Sequence, residues 1–271
     1  LSNNSQGVQA AWVKGHLIVA YADPSNSYYL RAVMGTIEGS TITFSTPTTV
    51  YSGYPRNPTS VTSETSGKES LIMCFEGSNE SYRPQIKPIY LSGNPGNYSI
   101  YGGSLHEVHY RSVSGFLNIA YNNEKASGIV FYQNARYMKA FINSSSNYVY
   151  DVGSEVELTE VNGTSAFYAS GEDRFVLAYT DGSSLGQCRL FTHDGTSSSP
   201  VAVGTATGFS GTDNVVEPKI NYHPVQQKVV IGYRNNSSDD FDMVLGTISG
   251  NTIGFATPFT ISSTNNPYNI F

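Results

Sequence analysis

Two distant stretches of the chain follow one plan, and that repetition limits the possible folds more than any other feature. Residues 17–50 read LIVAYADPSNSYYLRAVMGTIEGSTITFSTPTTV and residues 228–259 read KVVIGYRNNSSDDFDMVLGTISGNTIGFATPF. Each has an apolar run closed by Tyr, a polar loop, an apolar run ending in Gly-Thr-Ile, a Gly-containing turn, then Thr-Ile-x-Phe and a Thr-Pro. Short β-branched and aromatic runs separated by Asn, Asp, Ser and Gly predict antiparallel strands joined by tight turns. Three weaker copies lie between. The aromatic that closes the second strand of each unit is expected at Tyr21, Phe75, Tyr121, Tyr179 and Tyr233, at spacings of 54, 46, 58 and 54 residues.

A repeat of about 53 residues belongs to solenoids, propellers or arrays. Helical solenoids need a 3.6-residue period over ten or more residues, which this chain lacks. The pattern predicts an all-β, five-bladed β-propeller of four-stranded antiparallel blades, spanning 1–271 as one domain. The expected blades are about 3–57, 58–107, 108–162, 163–214 and 215–271. In the second, Pro84 and Pro88 fall in the third strand, where a proline needs an edge or a bulge. In the third, 108–113 is the expected first strand, and 122–136 is an extended connection between the second and third strands. The tail, 265–271, resembles the crossing at 54–58 and either closes the ring, the favoured reading, or begins a further blade.

Composition narrows the function classes. Charged residues make up 13% of the chain and the net charge is −6, without the basic patch that nucleic acid requires. No apolar run approaches 18 residues, so no membrane insertion is expected. Cys74 and Cys188 fall in non-equivalent positions and read as two buried free thiols. No cofactor or metal signature is complete; His106 and His109 read as a solvated turn. Gly182-Ser183-Ser184-Leu185-Gly186 matches the serine-hydrolase elbow, but a strand follows it where that elbow needs a helix. The expected first strands carry almost no acids, Glu64 being the nearest, whereas a glycosidase needs at least two converging carboxylates. No catalytic residue is therefore assigned and a non-enzyme is expected, with a glycoside hydrolase as the distant alternative.

The connections after the marker aromatics, at 22–28, 76–83, 122–128, 180–186 and 234–241, are expected on one face of the ring. Carboxylates, amides and aromatic faces are what sugar recognition uses. The candidate ligand-binding residues are Asp23, Tyr28, Glu76, Tyr82, Arg83, Asp181, Arg234 and Asp239. Turn chemistry alone accounts for the same residue types.

The phrase V-x-G-T-I-S-G-x-T-I-x-F-x-T-P, intact at 244–258 and nearly so at 33–47, resembles a repeat of bacteriophage tail-fibre and surface proteins, marine phages especially. On architecture, the five-fold repeat is similar to five-bladed lectins of the tachylectin type. These resemblances imply an extracellular or virion-surface module that binds a glycan or host receptor without cleaving it, alongside other subunits or domains of a larger assembly. A ligand-free scaffold or spacer in such a fibre is the alternative.

Overall fold

The computed structural model describes residues 7–110, 115, 117–132, 136–158 and 162–262. Among them are 23 strands and two single 3-10 turns, Pro24–Asn26 and Ser78–Glu80, with no α-helix. The strands form five antiparallel sheets in chain order. Sheet 1 spans residues 9–51, sheet 2 55–107, sheet 3 118–157, sheet 4 162–208 and sheet 5 215–262. Within each, the first strand forms one edge and the next two follow in sequence order.

Sheets 1, 2 and 5 carry five strands where four are expected, because their outer strand is split. In sheet 1 the break follows Thr41–Phe44 and precedes Thr48–Tyr51; in sheet 5 it separates Thr252–Phe255 from Phe259–Ser262. Each break holds the Thr-Pro of the repeat and is bridged by an equivalent bond, Ser45 N–H to Met34 O and Ala256 N–H to Leu245 O. Sheet 2 shows the same device beside its prolines. The carbonyl of Pro88 accepts from Gly103, so the side that lacks its N–H faces the break between Asn97–Gly102 and His106–Glu107, and that of Pro84 accepts from Val108, just past the end of His106–Glu107. A proline costs least at such an edge.

The glycine of Gly-Thr-Ile has a packing role. Gly35 pairs with Phe44 and Gly246 with Phe255 across neighbouring strands. A Cβ at Gly246 would lie 2.7 Å from the Phe255 ring, so the motif places an aromatic over a bare backbone.

The first strands pack in series: Gln9–Val13 on Pro55–Ser63, then on Asn118–Asn122, Asn162–Ala169 and Val215–His223. The strands behind them alternate faces. In sheet 2, Leu71, Met73 and Phe75 join the core shared with sheet 1, while Ile72 and Cys74 join the core shared with sheet 3. Two further cores unite sheets 3 and 4, and sheets 4 and 5. Burying one such side chain is worth about 1.5–3 kcal/mol. Among the described residues no core unites sheet 5 with sheet 1.

Sheet 3 departs from the sequence expectation. Its first strand is Asn118–Asn122, so Tyr121 lies in the first strand and not the second. The second strand is Ser127–Tyr132, inside the supposed long connection at 122–136. Residues 122–128 hold a tight hairpin turn, closed by Asn122 Oδ1 accepting from the Glu124 and Lys125 amides and by Ala126 in a left-handed conformation. Tyr132 is the true marker of this sheet, buried in the core shared with sheet 2. Residues 111–113 of the expected first strand and the tail at 265–271 lie outside the described residues.

Candidate functional site

The connections that follow the second strands of sheets 1 and 2 share one backbone design. A 3-10 turn is followed by two consecutive left-handed residues, Ser27-Tyr28 in one and Ser81-Tyr82 in the other. The loop is closed by Tyr28 N–H to Asp23 O, and equivalently by Tyr82 N–H to Gly77 O, each 2.9 Å or shorter. Left-handed backbone is uncommon for a bulky residue, so finding a tyrosine there twice marks a built feature. Both rings are presented to solvent, at 40% and 38% exposure.

The crossing from sheet 1 to sheet 2, residues 52–54, and the first residues of the strand Pro55–Ser63 lie between the two loops. Tyr54 N–H donates to Ser78 Oγ at 2.8 Å, and Asn79 Nδ2 donates to Ser52 O at 3.3 Å. The Tyr28 and Tyr54 rings stand 5.3 Å apart, and the Arg56 guanidinium lies 4.6 Å over the Tyr82 ring. Two aromatic contacts result, Tyr28 with Tyr54 and Arg56 with Tyr82, on segments tied together by the Tyr54–Ser78 and Asn79–Ser52 bonds.

Beneath them lies Glu76, whose side chain is fully buried. Its Oε1 accepts from Asn57 Nδ2 at 3.1 Å, and Oε2 has only Arg56 Nε, 3.8 Å away, as a charged neighbour. Burial raises its pKa, opposed by the Asn57 hydrogen bond and the Arg56 charge. Glu76 thus holds Asn57 by a hydrogen bond and Arg56 only by the attraction of its charge.

Of the expected site residues, Tyr28, Glu76 and Tyr82 are brought together. The others find their partners within their own sheets. Asp23 accepts from the Ser25 amide and from Arg31, both at 3.0 Å, and the Arg31 bond leads the interactions that lower its pKa. Arg83 donates to both carboxylate oxygens of Glu107 at 3.0 Å. Asp181 accepts from the Ser183 and Leu185 amides and from Gln187. Arg234 pairs with Asp239 at 2.5 Å. The 122–128 connection lies in the turn between first and second strands, at the other end of the sheet from the connections that follow second strands, so it cannot belong to the set.

Tyr54, Arg56 and Asn57 were missed because they lie in the crossing and the start of the strand after it, not in a repeat-equivalent loop. The repeated Ser-Tyr of SNSY and SNESY was the available signal.

Two other polar clusters stand apart. A concave region of ≈ 410 Å³ at sheet 5 includes Ser210, Thr212, Asp213, Asn235 and Asp240; beside it Asp242 accepts from Asn235 at 3.2 Å and Thr260 at 2.7 Å. At the seam of sheets 2 and 3, His106 and Lys139 both contact Asp151, while His109 and Tyr132 contact Glu155. Burial would raise Asp151, but the hydrogen bonds from His106 and Lys139 outweigh it and lower its pKa. The two histidines are thus interface groups, not the solvated turn expected. Among the described residues no group of three or more His, Cys, Asp or Glu could hold a metal ion, and no helix is long and apolar enough to cross a membrane. Cys74 and Cys188 are both free and buried.

No family model matches the chain, and no characterised protein matches it by sequence. A crystal structure of a functionally unknown protein from Desulfotomaculum acetoxidans DSM 771 is similar in fold, with a TM-score of 0.60 at 10% identity, covering 96% of this chain and 72% of that one.

Proposed function

We propose that the five sheets are blades of a β-propeller arc and that the surface where blades 1 and 2 meet binds a neutral glycan without cleaving it. The observation that carries this is the pair of neighbouring aromatic contacts, Tyr28 with Tyr54 and Arg56 over Tyr82. Aromatic faces take the apolar C–H face of a pyranose, and Arg56 and the tyrosine hydroxyls supply directional donors for its hydroxyl groups. The sparse charge of the chain, 13%, suits a neutral ligand. Display on a virion or cell surface, with a host receptor glycan as ligand and other subunits as neighbours, is the setting this reading fits.

The test is a microarray of surface glycans probed with the wild type, Tyr82→Ala and Arg56→Ala. Losing one stacking contact costs about 0.5–1.5 kcal/mol beyond its buried area, so affinity should fall by at least about two-fold and by about ten-fold at the upper end. Glycan binding that both variants retain in full would refute the site, and a silent array or turnover of a polysaccharide would refute the function. A scaffold role in a larger assembly is the second reading, favoured by the exposed apolar side chains on the end sheets, Phe44 of sheet 1 and Leu245 of sheet 5.

A further inference from the structure

Every sheet has a leading face, carrying the marker aromatic, and a trailing face on the opposite side. In sheets 2 to 5 the leading face is covered by the sheet before it, and Phe75, Tyr132, Tyr179 and Tyr233 are each 7% exposed or less. The trailing faces of sheets 2 to 4 are covered by the sheet after, burying Ile72 and Cys74, Ile129 and Phe131, and Val176 and Cys188. Two faces break the rule. The leading face of sheet 1 is an open apolar groove of ≈ 340 Å³ lined by Val8, Val19, Tyr21, Val33, Phe44 and Pro47. Its Phe44 is 51% exposed. The trailing face of sheet 5 presents Val230 and Met243, half-buried, and Leu245, 41% exposed.

We propose that the leading face of sheet 1 is a docking surface for the trailing face of sheet 5 of a second copy. The four internal interfaces show what covers a face of this kind, which is the trailing face of a sheet of the same repeat. Apolar patches of this sort mark association sites. Within one chain the two faces belong to opposite ends of the series, and no core among the described residues joins them. The contact is head-to-tail, so it propagates or closes into a ring of copies. It is independent of the glycan reading.

Sedimentation of the purified chain across a concentration series tests this. The wild type should exceed the monomer mass as concentration rises. Val19→Asp and Leu245→Asp, at opposite ends, should each weaken self-association by about ten-fold or more, equivalent to at least about 1.4 kcal/mol. Mixed together, the two variants retain one good face each and should form a 1:1 dimer and nothing larger. If Val19→Asp fails to fold by circular dichroism, Phe44→Ser with Met243→Ser makes the same comparison. A wild type that stays monomeric throughout, or folded variants that do not complement each other, would overturn the proposal.

Discussion

Replacing Gly246 by Ala puts a methyl group 2.7 Å from Cε1 and 2.9 Å from Cδ1 of Phe255, with Ile253 Cδ1 at 3.3 Å. The ring cannot swing away freely, because its outer side packs edge-on against Phe209 at 5.9 Å. Overpacking of this kind costs about 1–3 kcal/mol. Gly254 supplies an internal control, since a Cβ there meets nothing within 4 Å. Both substitutions restrict the unfolded chain similarly, a gain of about 0.4–1 kcal/mol that cancels in the comparison. Gly246→Ala should therefore be about 1–3 kcal/mol less stable than Gly254→Ala. At about 2–4 °C per kcal/mol for a large domain, this is a melting temperature about 2–12 °C lower by circular dichroism. In the double variant Gly246→Ala/Phe255→Ala the clash disappears, so the two substitutions should be non-additive by about 1 kcal/mol or more. Equal stability of the two alanine variants would refute the idea that this glycine exists to seat the phenylalanine.

Three further outcomes are expected. Glu76 has a raised folded-state pKa, so its contribution is greatest at low pH and is lost as pH rises through that pKa; the melting temperature of Glu76→Gln relative to wild type should rise between pH 5 and pH 8, and a difference independent of pH would contradict its burial. Asn143 Nδ2 bonds Ser63 Oγ at 3.0 Å, Lys68 O at 3.1 Å and Tyr121 Oη at 3.3 Å across the junction of sheets 2 and 3. Asn143→Ala should cost about 2–4 kcal/mol in urea denaturation, and a change below about 0.5 kcal/mol, the range of ordinary surface substitutions, would argue against that network. Burial pushes the thiols of Cys74 and Cys188 well above their usual range; a disulfide reagent should label neither in the native protein and both after unfolding, and fast native labelling would contradict the packing.

How much of this was legible follows from where each signal lies along the chain. The Gly-Thr-Ile and Thr-Pro elements of sheets 1 and 5 are local, so their strands and turns could be placed from residues 33–47 and 244–258 alone, although the break that the Thr-Pro makes in each outer strand was not. Sheet 3 misled because NIAYN and SGIVFY are both apolar runs ending near a tyrosine, and the Asn-rich hairpin between them looks like a loop of any length. Local pattern cannot say which run is the edge strand; pairing of Ile119 with Val130, and Val130 with Lys139, decides it. The site was half legible. Tyr28 and Tyr82 sit in loops that repeat, but Tyr54 and Arg56 join them only through contacts between segments some 25 residues apart, which periodicity does not encode. Asp23, Asp181 and Asp239 show the limit of residue type as a signal: each carboxylate accepts from or pairs with groups of its own sheet, as ordinary turn chemistry also would.

The central claim concerns a place, and a backbone NMR titration of the isotopically labelled protein with the best glycan from the array reads that place directly. The account predicts saturable shifts confined to residues 25–29, 52–57 and 76–83, lost in Tyr82→Ala. Shifts centred instead on the acidic hollow around residues 210–213 and 240–242, or none at saturating glycan, would contradict it.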